Sequence, residues 1–237
     1  MLELKNISKS FVDPKPVVDN LSLKVNTGEV FGFLGLNGAG KTTTVKMIAD
    51  LLFPDTGKIK IGKFDHTDMA AKQMIGFMPE QPQFYQHLKA YEVVEFAGEL
   101  FGLEKTTLKA KADRLLNQVG LGESKNLPAR KFSKGMHQRL AFAVALVNDP
   151  ELLILDEPLD GLDPIGRLDF KKLILGLKKQ GKTVFFSSHI LADVEELCDR
   201  VAILHQGKIL TIDSPKNLVK KPGQTLEEVF VEKVRTK

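Results

Sequence analysis

The stretch GLNGAGKTT, Gly35 to Thr43, fits the pattern G-x-x-x-x-G-K-[ST] and lies between an apolar strand and a predicted helix. In that context the pattern binds phosphate. Gly35, Gly38 and Gly40 let the backbone through Asn37 and Ala39 curl, so that its N–H groups point inward at the β- and γ-phosphates of a nucleotide. Lys41 adds a point charge there, the Thr42 hydroxyl can ligate Mg²⁺, and Thr43 completes the loop's hydroxyl pair. The stretch LLILDEP, Leu152 to Pro158, supplies the other half of that chemistry. An apolar strand ending in two acids sets carboxylates at the carboxyl edge of a parallel sheet, where ligands bind in such folds. Asp156 is then a candidate holder of Mg²⁺, and Glu157 is free to orient and deprotonate an attacking water.

A second stretch, FSKGMHQRL from Phe132 to Leu140, reads as the opening of a helix with a Ser able to cap it. Lys134, His137 and Arg139 crowd its first two turns, where the positive end of a helix dipole favours acids rather than bases. A capped N-terminus with added positive charge suits an anion. The nucleotide already has a cradle at Gly35–Thr42, so the anion for this second site must come from elsewhere.

The elements that position these residues follow from periodicity. The N-terminal segment alternates as strands at Leu2–Ile7 and Leu21–Val25, with Asn26-Thr27-Gly28 as a turn and Val30–Leu34 as a buried strand. A helix from Lys41 to Leu51, short strands at Ile59–Ile61 and Ile75–Met78, and then helical spacing from Gln86 to Asp149 come next. Strands return at Leu152–Leu155, Val184–Ser187 and Val201–Leu204, separated by helices from about Ile165 and Ile190. This alternation predicts an α/β fold: a mostly parallel sheet, an antiparallel β portion at the N-terminal end and a helical insertion. Residues 1–85 and 150–214 would form the α/β core and 86–149 the helical part, within one domain spanning 1–237. The tail, 215–237, reads as short helices ending in TLEEVFVEKV.

The motifs, in this order, resemble those of ATP-binding-cassette (ABC) ATPases, and the resemblance covers nearly the whole chain. FSKGM is similar to that family's LSGGQ signature: Ser133 and Gly135 match, while Phe132, Lys134 and Met136 differ. The resemblance implies a P-loop nucleotide-hydrolase core binding ATP and Mg²⁺. It implies that two chains pair head to tail, so that Ser133, Gly135 and Met136 of one close on the ATP held by the other. That ATP is the anion the second site lacked. Phe11 falls where the family has an aromatic residue stacked on adenine, and Asp163, ending DGLD, resembles the D-loop residue at the dimer interface. His189, ending SSH, resembles the switch histidine beside the γ-phosphate and so joins Glu157 and Lys41 among the catalytic candidates. After IGFM the family usually carries a Gln that reaches the metal. Here the position is Glu80 or Gln81.

The wider resemblance implies the ATP-hydrolysing subunit of an ABC transporter, peripheral on the cytoplasmic face of a membrane. It would act with integral membrane subunits, as an ATP-dependent homodimer or a heterodimer with a related cassette. NGAGKTTT, PEQP, FSKGM and LEEVF resemble the subgroup that drives exporters with separate membrane subunits. The alternative is a non-transport cassette acting on nucleic acid. Such proteins separate their motif halves by a long coiled coil, and the segment between Lys41 and Ser133 has no sustained heptads. With 34 basic and 30 acidic residues the formal net charge is only +4, which permits nucleic-acid contact without requiring it. One cysteine, Cys198, excludes a disulfide framework and suits a reducing compartment. No run approaches the ~18 apolar residues of a membrane span, and MLELKNISKS has no signal-peptide core.

Overall fold

The computed structural model describes residues 1–11, 15–219 and 224–235. Two sheets and a set of helices form three layers. The smaller sheet is antiparallel, ordered β2 (Val18–Val25), β1 (Leu2–Lys9), β4 (Thr56–Ile61), β5 (Phe64–Asp65). Its alternation is the predicted one: Leu2 pairs with Val25 and Ile61, and Leu4 with Leu23 and Ile59, all buried on one face. The larger sheet has six strands: β10 (Lys208–Asp213), β9 (Arg200–His205), β3 (Val30–Gly35), β8 (Thr183–Ser188), β7 (Leu152–Leu155) and β6 (Ile75–Met78). β9 to β6 run parallel. Strands β3, β7 and β8 are buried along their whole length, as expected of a sheet covered on both faces.

Side chains alternate across that sheet into two cores. Phe31, Phe33, Ile154 and Phe185 face the small sheet together with Val45, Met47 and Ile48 of α1 (Lys41–Ile48). Leu34, Leu155 and Phe186 face the helices on the other side, where Phe142 and Phe170 meet edge to face at 5.0 Å. Truncating one of these buried phenylalanines to Ala would cost about 3–5 kcal/mol. Short α2 (Met69–Gln73) precedes β6. Between β6 and β7 lie α3 (Ala90–Leu100), α4 (Lys105–Gln118), two 3₁₀ turns and α5 (Lys134–Ala145). The helices of this region are 11, 14 and 12 residues long and pack on one another, so it is no coiled-coil insertion. The far end of α5 lies hard against β6. A Cβ on Gly76 would sit 1.9 Å from the Ala145 carbonyl oxygen, and Asn148 Nδ2 donates to the carbonyls of Gln73 and Ile75 at 3.0 Å each.

After β7 come α6 (Pro164–Lys179), α7 (Leu191–Leu197) between β8 and β9, α8 (Pro215–Leu218) and α9 (Leu226–Arg235). Residues 220–223 and 236–237 of the expected tail lie outside the described ones. The structure adds β5 and α2, which the sequence reading did not give, and departs from it in two further places. The helix expected to reach Leu51 stops at Ile48, because the chain turns through Asp50 at φ 55°. Antiparallel pairing also occurs at the edge of the large sheet, where β10 returns on β9 through Gln206 and Gly207, both at positive φ.

Candidate active site

The order β3-β8-β7 sets three parallel strands side by side, so the loops at their carboxyl ends converge. β3 delivers Gly35–Thr43, β7 delivers Asp156 and Glu157, and β8, between them, delivers His189. A cleft of about 440 Å³ opens there, lined by Asn37, Gly38, Gly40, Lys41, Thr42 and Thr43 together with Val17, Glu80, Glu157, Asp160 and His189.

The loop's conformation explains its residues. Gly40 has φ 104° and would bring a Cβ to 2.6 Å from the Val17 carbonyl oxygen, so no other residue fits before α1. Ala39 is buried away from the cleft, and its carbonyl accepts from the Gly207 N–H at 3.0 Å. Lys41 is almost fully buried and donates to the Gly35 and Leu36 carbonyls at 2.8 and 3.3 Å. Its ammonium also lies 3.1 Å from Glu157 Oε1, an ion contact without hydrogen-bond geometry.

Ser187, at the end of β8, organises both acids. Its Oγ donates to Asp156 Oδ1 at 2.6 Å and accepts from the Glu157 N–H at 2.9 Å, with all three groups buried. Burial pushes the Asp156 carboxyl above the usual carboxylate range. Hydrogen bonds from Ser187 and Thr42 oppose that rise, Glu157's charge adds to it and Lys41's subtracts. Glu157 turns at φ 47°, outside the ordinary range for a long side chain. Its Oε2 meets His189 Nδ1 at 3.0 Å, while its buried Oε1 has no hydrogen-bond donor. Against an ionised carboxylate Nδ1 is the donor, which fixes the ring's orientation. The cleft thus holds a cation at the end of a backbone cradle and an acid whose two oxygens meet His189 on one side and that cation on the other. Asp156 and Thr42 place two hard oxygens together, a donor set that suits Mg²⁺.

The remaining predicted residues are distributed less evenly. Glu80 lines the cleft, whereas Gln81 is exposed and does not. Phe11 is 59% exposed, with Lys9 Nζ 5.9 Å from its ring, and does not line the cleft. Ser133, Gly135, Met136 and Asp163 also lie outside it. Ser133 caps α5 by accepting from the Met136 N–H at 3.2 Å, and Asp163 caps α6 by accepting from the Gly166 N–H at 2.6 Å. Met136 is partly buried against the helical core. The sequence reading gave no role to Ser187 or Val17, and took Asp160 only as the first residue of DGLD. The two serines ending a buried strand were the available signal for Ser187.

The family model described as "ABC transporter" matches residues 18–160. The chain belongs to this family. Among ABC transporter relatives, it is 37% identical to the ATP-binding protein NatA of Bacillus subtilis, over 99% of this chain and 98% of that one. It is 42% identical to the bacitracin transport ATP-binding protein BcrA of Bacillus licheniformis, over 89% of this chain and 68% of that one. Two cyanobacterial relatives at 45% and 44% identity are longer proteins, of which the chain spans 54% and 60%. The fold superposes with a TM-score of 0.83 on a dimeric ATP-binding cassette in a post-hydrolysis state bound to ADP and Pi, at 25% identity, covering 90% and 98% of the two chains. No helix among the described residues is long and apolar enough to cross a membrane.

Proposed function

We propose that the chain is the ATP-binding and ATP-hydrolysing motor of an ABC transporter, a single cassette domain that pairs head to tail around two nucleotides. It drives transport, in the export direction, through separate membrane subunits on whose cytoplasmic face it sits. The observation that carries the reading is the triad of Lys41, Glu157 and His189 meeting in one cleft beneath the glycine loop. Similarity to a bacitracin transport protein and to a dimeric cassette holding ADP and Pi supports the transport and pairing parts.

In this reading the loop N–H groups and Lys41 hold the β- and γ-phosphates. Asp156 and Thr42 hold Mg²⁺, which when bound neutralises charge on the phosphate oxygens. Glu157 accepts a proton from the attacking water at Oε1 once Lys41, which lies 3.1 Å from that oxygen, turns to the phosphates, while His189 fixes the carboxylate through Oε2. The water oxygen bonds to the γ-phosphorus, the bond to the bridging oxygen breaks, and ADP leaves with that electron pair. Ser133, Gly135 and Met136 of one chain complete the cradle of the other, and Phe11 and Asp163 flank the nucleotide and the interface.

The test is Glu157→Gln. It retains ATP binding and lowers turnover by roughly two or more orders of magnitude, and the ATP-bound pair accumulates on a sizing column. A variant that hydrolyses ATP at the normal rate removes Glu157 from this role and the reading with it.

A further inference from the structure

Two side chains one turn apart on α5, Lys134 and Gln138, reach the two loops that border the nucleotide cleft of their own chain. Lys134 Nζ contacts Asp160 Oδ2 at 3.2 Å, and Asp160 lines the cleft three residues after Glu157. The pair is partly exposed, and the lysine stem crosses the turn that carries Asp160. A Cβ on Gly161, at φ 67°, would sit 2.0 Å from Lys134 Nζ and within 3.0 Å of its Cε and Cδ, so the lysine stem lies flat across that glycine. Next to it, a Cβ on Gly135 would lie 3.5 Å from Leu162 Cδ2. The Asp160 N–H in turn donates to the Glu157 carbonyl at 3.1 Å, which closes the turn that carries the acid.

Gln138, 1% exposed, donates from Nε2 to the Glu80 carbonyl at 3.2 Å, and Glu80 is the cleft residue contributed by the loop after β6. The other end of its carboxamide, Oε1, is buried with no partner. A buried amide half satisfied costs stability compared with an apolar side chain of the same size, so packing alone does not account for a Gln there.

We infer that α5 acts in cis: Lys134 and Gln138 are positioning residues that hold the Glu157–Asp160 turn and the Glu80 loop in register across the chain's own cleft. The inference rests on the proposed pairing for its consequence. The helix that touches the partner's nucleotide with its tip then grips its own cleft with its flank, so closure at one site is felt at the other.

Gln138→Met keeps the volume, removes the donor and removes the unsatisfied oxygen. It is expected to lower ATP turnover about tenfold, the worth of one net buried hydrogen bond, while the melting temperature stays level or rises. Lys134→Ala is expected to lower turnover about fivefold, as for a partly exposed ion pair, with nucleotide affinity of the single chain unchanged. The exchanged pair Lys134→Asp with Asp160→Lys recovers part of the loss relative to Lys134→Asp alone. Wild-type turnover in Gln138→Met at undiminished stability, together with no recovery in the exchanged pair, overturns the inference. If Gln138→Met instead unfolds, the Lys134 pair decides: recovery sustains the inference and its absence overturns it. A wild-type chain that binds ATP but never hydrolyses it refutes the proposed function itself, a result distinct from variants that merely match an active wild type.

Discussion

Ser187→Ala removes one hydroxyl that serves two buried acids, and its cost can be worked from the contacts. The Oγ donates to Asp156 at 2.6 Å, a bond to a charged group worth about 1.5–3 kcal/mol. It also accepts from the Glu157 N–H at 2.9 Å, and leaving that buried donor unpaired costs about 1–3 kcal/mol. Ser187 is fully buried, so water does not readily take the hydroxyl's place. The sum, roughly 2.5–6 kcal/mol, corresponds to at least about 5 °C in melting temperature for a chain of this size. The loss depends on pH in a defined sense. Ser187's bond favours the ionised Asp156, so removing it pushes that carboxyl further up. The stability lost is therefore fully present where Asp156 is ionised and shrinks as pH falls and the carboxyl protonates. Thermal unfolding by circular dichroism at pH 7.5 and pH 5, without nucleotide, reads both. A drop below about 2 °C at pH 7.5 would mean that the hydroxyl does not hold the two acids. A drop equal at the two pH values would mean that it does not act through Asp156's charge.

Asp156→Asn keeps an acceptor for Ser187 and Thr42 but removes a charge that burial disfavours. Asp156 is shifted up, so its ionised form destabilises the fold above the ordinary carboxylate range and not below it. The variant therefore melts a few degrees higher near neutral pH, converges with wild type near pH 4, and loses Mg²⁺-dependent turnover, as melting curves and a phosphate-release assay will show. Glu80→Gln removes a carboxylate from the cleft, where it favours a metal but repels phosphate. ATP titrations should show tighter binding without Mg²⁺ and little change with it, and unchanged affinity in both would remove Glu80 from the metal. Ser133→Arg, at the exposed tip of α5, should abolish turnover while nucleotide affinity stays nearly intact, because in the proposed pairing Ser133 closes on the glycine loop of the other chain. Wild-type specific activity should rise with protein concentration.

The cleft's two principal motifs were legible because each is local. Gly35–Thr43 carries its own turn chemistry, and Leu152–Glu157 is a buried strand with its acids attached. The parallel order was legible for a similar reason, since buried runs such as Val30–Leu34 alternate with helical spacing. What could not be read were contacts across long stretches of chain. Ser187 meets Asp156 31 residues away, Lys134 meets Asp160 26 residues away, and Gln138 meets the Glu80 carbonyl 58 residues away. Periodicity assigns such residues a face but not a partner. Gln138, inside FSKGMHQRL, drew no reading of its own. The β10 hairpin was passed over for another reason: Gln206-Gly207 is a two-residue turn of the hairpin kind, but Gln-Gly is a weaker hairpin marker than Asn-Gly or Asp-Gly.

The contact between Gly76 and Ala145 anchors one end of α5. Its far end cannot slide, because two backbones meet there with no room for a methyl group and Asn148 pins the following turn to β6. Its near end, at Lys134, is exposed. At 1.5 Å per residue the arm from Ala145 to Lys134 is about 17 Å long, so a tilt of roughly 10° at the fulcrum sweeps the tip through about 3 Å. That is the length of a hydrogen bond, enough to separate contact from no contact at the tip. At the far end the same displacement would drive the Ala145 carbonyl into β6. Gly76, outside the cleft, is thereby a place where even a single added methyl group would force α5 and β6 apart.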